Sequence, residues 1–292
     1  MNIRPLPIQM IDVDKKTTNL LISTVQSMLL LFFLLFPLTF MELILHEGGH
    51  AVDKLTHGFA INIFYAHPFS FNGYVRPFSD WNSIWRHASG AVVSILVSLL
   101  IFVPLWKHRS FSKLPFLMLF PWIAIKVGIA VINIFSQTGD YYNIIQLTGM
   151  SPAIFYVLGF IFAGIGIFFF HTLLPLLGLA PQDIRSFCVL PVGVFLWSAL
   201  SILVAHLFVP GSPIDVEYHL GAEIIASANS SPIFGGITGA LLAVLYSTLY
   251  RGIYQKLPAG LRTSVASLDW KDLRIPGGLF MICVILGLII IR

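Results

Sequence analysis

Five consecutive residues, His46-Glu47-Gly48-Gly49-His50, carry the strongest chemical signal in the chain. On a helix the two imidazoles stand one turn apart on one face, where both can bind a single zinc ion, and Glu47 beside them is placed to act as general base. At the chain's own His and Glu frequencies, about 0.004 matches to H-E-x-x-H are expected by chance. Glu is also scarce. It occurs only at positions 42, 47, 217 and 223, so a Glu flanked by two helix-phased His needs a reason.

A catalytic zinc takes three protein ligands and keeps an open position for water. A metzincin continuation would place Gly at 53 and His at 56; the chain has Asp53 and Thr56, which excludes that class. The candidates for a third ligand are acids further along: Asp140, Glu217 and Glu223. Asp140 stands in Gln137-Thr138-Gly139-Asp140-Tyr141-Tyr142-Asn143, between two apolar runs and with no basic neighbour. An unpaired carboxylate at membrane depth demands a cation.

Other polar residues are secondary candidates. Glu42, one turn before His46, and Asp53 point roughly the same way as the two His, so either carboxylate could orient a ligating imidazole. For Asp53 the expected use is a surface pair with Lys54, Lys113 or His57. Gly48 and Gly49 each cost a helix about 1 kcal/mol against Ala, which points to close approach by a neighbouring helix or by substrate. His87, Asn133 and Tyr141 are candidate cavity or oxyanion groups, although a lone His near a helix start more often caps or faces solvent. His171 and His206, isolated in apolar runs, are expected to face packed interior.

The elements that must position these residues belong in lipid. Of 292 residues, 57% are hydrophobic and only 10% charged, against about a quarter charged in a soluble domain. An ordinary soluble enzyme is excluded. The net charge of +4 is small and scattered, which excludes nucleic acid as a partner. Cys188 and Cys283 lie in apolar runs and read as small buried residues, not a disulfide or metal pair.

A bilayer core of about 30 Å needs about 20 apolar helical residues. Seven runs meet that length: 20–45, 84–106, 114–135, 152–178, 187–209, 232–254 and 275–291. Lys126, inside the third, either snorkels or faces a partner. Twelve Lys and Arg then fall on the N-terminal side and four on the other, which places the N-terminus in the cytoplasm. Between the first two runs, Ile61, Ile63 and Tyr65 alternate with Asn62 and Phe64, and Asn72-Gly73 is a turn signal. A short hairpin at one membrane face is expected there, with a loop lying on the headgroups as the alternative. The expected fold is an all-α polytopic membrane protein, a bundle of about seven transmembrane helices with a short β-hairpin insertion. Residues 1–19 form an N-terminal tail leading into an uncleaved anchor, 20–150 the catalytic transmembrane core and 151–292 accessory helices.

Together, the His46-Glu47-x-x-His50 motif in a membrane-embedded helix, the β-like insertion, the helix beginning His87-Ala88-Ser89-Gly90-Ala91 and the later Asp140 in a Gly-bearing turn resemble the site-2 protease family of intramembrane zinc metalloproteases. The resemblance covers about residues 30–150. It implies a bundle around three core helices, one zinc per chain held by His46, His50 and Asp140, and Glu47 as catalytic base. The implied substrates are membrane proteins or peptides cleaved within the bilayer, in a multi-pass protein of the cell membrane. The family's Asp usually precedes Gly in a Pro-containing stretch, whereas here Gly139 precedes Asp140 and Pro is absent. The family's site also lies nearer the cytoplasm, while the charge count places His46 towards the opposite face. Two other classes fit parts of the pattern: a membrane protease similar to CAAX-processing gluzincins, with Glu217 or Glu223 as third ligand, and a metal transporter without hydrolysis.

Overall fold

A computed structural model describes residues 11–61, 63–66, 74–76, 83–136, 139–180, 184–208, 221–254, 256–257 and 265–290. Side chains within these ranges are described except at 11–21, 63, 65, 74, 76, 136, 184, 194, 201–235 and 287–290. The first apolar run does not end at residue 45. It belongs to a single helix, α1 (Ile11–Thr56), that carries the HEGGH segment on its C-terminal turns. The helix stops where Gly58 takes φ 79°. Gly58 N–H donates to the Leu55 carbonyl at 3.1 Å and Phe59 N–H to the Lys54 carbonyl at 3.0 Å, the paired bonds of a Schellman cap.

Two short strands follow, β1 (Ile63–Tyr65) and β2 (Tyr74–Arg76), paired antiparallel with Phe64 opposite Val75. Then come α2 (Ile84–Trp106), α3 (Leu114–Ile132), α4 (Asp140–Thr148), α5 (Pro152–Leu173), α6 (Ile184–Phe208), α7 (Gly221–Tyr254) and α8 (Arg274–Ile290). Among the described residues, four helical stretches are long and apolar enough to cross a membrane: Ile22–Thr56, Ile84–Trp106, Phe111–Phe135 and Pro152–Leu177.

Small residues let the helices meet at backbone distance, as membrane bundles require. A Cβ on Gly128 of α3 would lie 2.4 Å from the Ala163 nitrogen of α5, and one on Gly166 would lie 2.7 Å from the Ile125 nitrogen. These contacts sink α3 into the core, with Leu117, Met118, Trp122 and Ile123 buried. On the far side of α1, Phe32, Phe33 and Phe36 pack their rings against Phe280 of α8. Cys188 is exposed on α6 and Cys283 buried, both as free thiols, so only the second matches the expected small core residue.

Candidate metal centre

Helix α1 presents His46 and His50 to α2 because its own backbone can come close there. A Cβ on Gly49 would sit 2.5 Å from the Ser89 carbonyl oxygen, so only Gly permits this α1–α2 contact. Among the described residues nothing lies within 4 Å of a Cβ at Gly48, so the close approach by a neighbouring helix belongs to Gly49. Facing α1, Gly90 lies directly beneath the imidazoles: its Cβ would meet His50 Nε2 at 2.7 Å and His46 Nε2 at 2.8 Å. Both glycines are therefore fixed by the two histidines and the helix that faces them.

The third group arrives from α4. Gly139, at φ 85°, turns the chain so that Asp140 opens the helix towards α2. His46 Nε2 is then 3.3 Å from Asp140 Oδ2, His50 Nε2 is 3.3 Å from the same oxygen, and the two Nε2 atoms are 3.2 Å apart. The three atoms form a nearly equilateral triangle. A tetrahedral zinc with arms of about 2.0–2.1 Å needs ligand atoms about 3.3–3.4 Å apart, so this triangle has the size of one face of its coordination shell. Two imidazoles and a carboxylate are also a donor set that suits zinc.

Second contacts fix which atoms face the centre. His50 Nδ1 donates to the Arg86 carbonyl at 2.8 Å, with Ser89 Oγ 3.2 Å from the same nitrogen, so its lone pair resides on Nε2. His87 Nδ1 donates to Asp140 Oδ1 at 3.1 Å, leaving Oδ2 for the triangle. His87 was only one of several cavity candidates in the sequence; nothing local marks it as the residue that holds Asp140. Burial acts to raise the Asp140 carboxyl pKa, but the imidazoles of His46, His50 and His87 gathered around it outweigh burial and hold the group well below the usual carboxylate range. The ionised form is the one in which a carboxylate binds a metal.

The side chains of His46, His50 and Asp140 remain 21%, 14% and 28% exposed, so the triangle is reachable from outside the bundle. Glu47 is buried beside it, near enough to His46, His50 and Asp140 to act on all three electrostatically.

The remaining candidates separate cleanly. Glu42 forms an ion pair with Lys126 of α3, so among its described contacts it orients no imidazole, and Lys126 faces a partner instead of snorkelling. Asp53 pairs with His57 at 3.5 Å, one of the expected partners, but it is buried and not on the surface. Among the described residues the buried Tyr141 hydroxyl has no hydrogen-bond partner, and Asn133 Oδ1 accepts from Thr238 of α7 at 3.4 Å. Glu217 and the side chains of Glu223 and His206 lie outside the described residues. Among the described residues, His46, His50 and Asp140 are the one group of three whose ligand atoms cluster within 4.8 Å. No family model, curated protein or solved structure matches the chain.

Proposed function

We propose that the chain is an intramembrane zinc metalloprotease of the site-2 protease kind, hydrolysing peptide bonds of membrane-associated proteins. The observation that carries this reading is the triangle of His46 Nε2, His50 Nε2 and Asp140 Oδ2, sized for zinc and lying beside a buried Glu at the end of an apolar helix. Zinc held by those three residues would supply Lewis-acid polarisation of the scissile carbonyl and a water acidified to near neutral pH. Glu47 accepts the proton of the attacking water and returns it to the leaving amine. Arg86, through its carbonyl, and Ser89 keep His50 in the ligating tautomer, and His87 keeps Asp140 turned inward.

A substrate helix must unwind before its peptide bond can be attacked, and an exposed strand edge offers partners for the freed backbone groups. The pair β1–β2, taken as a hairpin, serves that purpose. The buried Lys54 ammonium donates to the Val75 carbonyl and covers one acceptor of β2, whereas Phe64 opposite is exposed. Strand β1 is therefore the edge offered to substrate. Around this core we place seven spans in the cell membrane, with the N-terminus in the cytoplasm.

Zinc content and peptidase activity of the detergent-purified chain test the reading. Glu47→Gln is expected to keep zinc and lose activity, Asp140→Asn to lose both, and Glu223→Gln to keep both. In the same assay, Pro at Ile63 or Tyr74 is expected to abolish cleavage of a membrane substrate without removing zinc. Full zinc occupancy in Asp140→Asn would overturn the ligand set, and cleavage unchanged by Ile63→Pro would overturn strand addition.

A further inference from the structure

We infer that the buried Glu42–Lys126 ion pair sets the cation affinity of the His46-His50-Asp140 centre, with Glu42 attracting the metal and Lys126 limiting that attraction. The inference rests on the metal reading above. Glu42 lies about one α-helical turn before His46 on the same face of α1, and it is close enough to His46, Glu47 and Tyr141 to act on each electrostatically. Its carboxylate meets Lys126 Nζ, and the two side chains are only 7% and 15% exposed.

The surroundings keep the pair's field unscreened. Lys126 Nζ lies 5.9 Å from the ring centroid of Trp197 on α6. Trp197 meets Trp122 of α3 edge-on at 5.1 Å, and Trp122 Nε1 donates to Thr39 Oγ1 of α1 at 3.1 Å. Three helices and two indoles thus enclose the charges, and in such a medium a charge acts far more strongly over one helical turn than it would in water.

Holding α1 to α3 is a weak reason for such a pair. Buried ion pairs are commonly no more stabilising than well-packed apolar residues of similar volume, and charges in a membrane interior are costly. At the neighbouring α3–α5 contact, Gly128, Gly159 and Gly166 bring the two backbones together. What a carboxylate adds at this position is negative potential at a site built for a cation, and what the ammonium adds is a limit on it.

The two halves of the pair therefore have opposite expected effects on metal binding, although each should weaken the fold. The experiment is a zinc titration of the full chain in detergent against a chelator of known affinity, with thermal unfolding measured in parallel. Glu42→Gln leaves Lys126 uncompensated near the cation, and zinc affinity is expected to fall about tenfold or more. Lys126→Met leaves Glu42 uncompensated, and affinity is expected to rise by a similar factor. The double variant removes both charges and should bind within about threefold of wild type, and Lys126→Arg, which keeps the charge, should match wild type. A purely structural pair would move both single variants the same way, in step with their unfolding temperatures. Any pattern other than opposite shifts overturns the inference, while failure of the wild type to bind zinc overturns the metal reading itself.

Discussion

His50 and His171 begin alike and end differently. Each gives its Nδ1 proton to a backbone carbonyl at 2.8 Å, that of Arg86 for His50 and that of Ile167 for His171. Each is thereby left with Nε2 as its acceptor nitrogen. For His171 that nitrogen takes the Ser247 hydroxyl of α7 at 2.7 Å, inside a contact where His171 is 1% exposed and Ser247 fully buried. Every polar atom of that imidazole is satisfied, and no net charge is needed. For His50 the same nitrogen faces a second imidazole nitrogen and a carboxylate oxygen, on a side chain still 14% exposed. There the nitrogen meets two further polar atoms instead of a single hydroxyl donor, and the proposed function places a cation among the three. On the proposed function, what separates the ligating His50 from the packing His171 is therefore what meets the second nitrogen.

The contrast can be broken at the metal end most severely. Gly90→Ala is expected to lower zinc affinity by more than about a hundredfold, because its new methyl would occupy the space of both Nε2 atoms, whereas Gly48→Ala should leave zinc binding unchanged. Equilibrium zinc titration of the two variants checks this, and equal effects would remove the cradle. A smaller loss is expected for His87→Ala, about 10–100-fold in zinc affinity, since Asp140 keeps its place but loses the donor that turns it. Zinc affinity unchanged in that variant would show that Gly139 and α4 alone aim the carboxylate. At the packing end, Ser247→Ala strands His171 Nε2 and should cost about 1 kcal/mol of stability, read as a modest drop in unfolding temperature, with zinc affinity untouched. A change in zinc affinity there would mean that the two histidine environments are coupled through α5.

The His pair and Glu47 were legible because their spacing is local: one helical turn joins them, and helix α1 runs straight through the motif. Asp140 was legible for a different reason, as an acid with no basic neighbour in a chain that has few acids. The groups that hold these residues were not legible. His87 and Asp140 are separated by 53 residues, and Glu42 and Lys126 by 84, so no periodicity connects them. The sequence marked Glu42 and Lys126 separately as charges needing an explanation, and only packing of α3 on α1 shows that each explains the other. Gly90, Ser94 and Ser98 recur every four residues along α2, and both serines are fully buried, but Gly90 faces two imidazoles. Spacing along one helix specifies which residues share a face, and the partner that face meets depends on how the helices assemble.

His46 and Asp140 are 94 residues apart in the chain. At a synthesis rate of about 5–20 residues per second, the histidine pair leaves the ribosome roughly 5–20 s before the carboxylate that completes the triangle. Throughout that interval α1 carries two of the triangle's three atoms without the third, and α2 and α3 are made in between. The centre is therefore a late product of biosynthesis, closed only by the arrival of α4, and a chain truncated before residue 140 would contain the whole HEGGH motif yet lack a finished site.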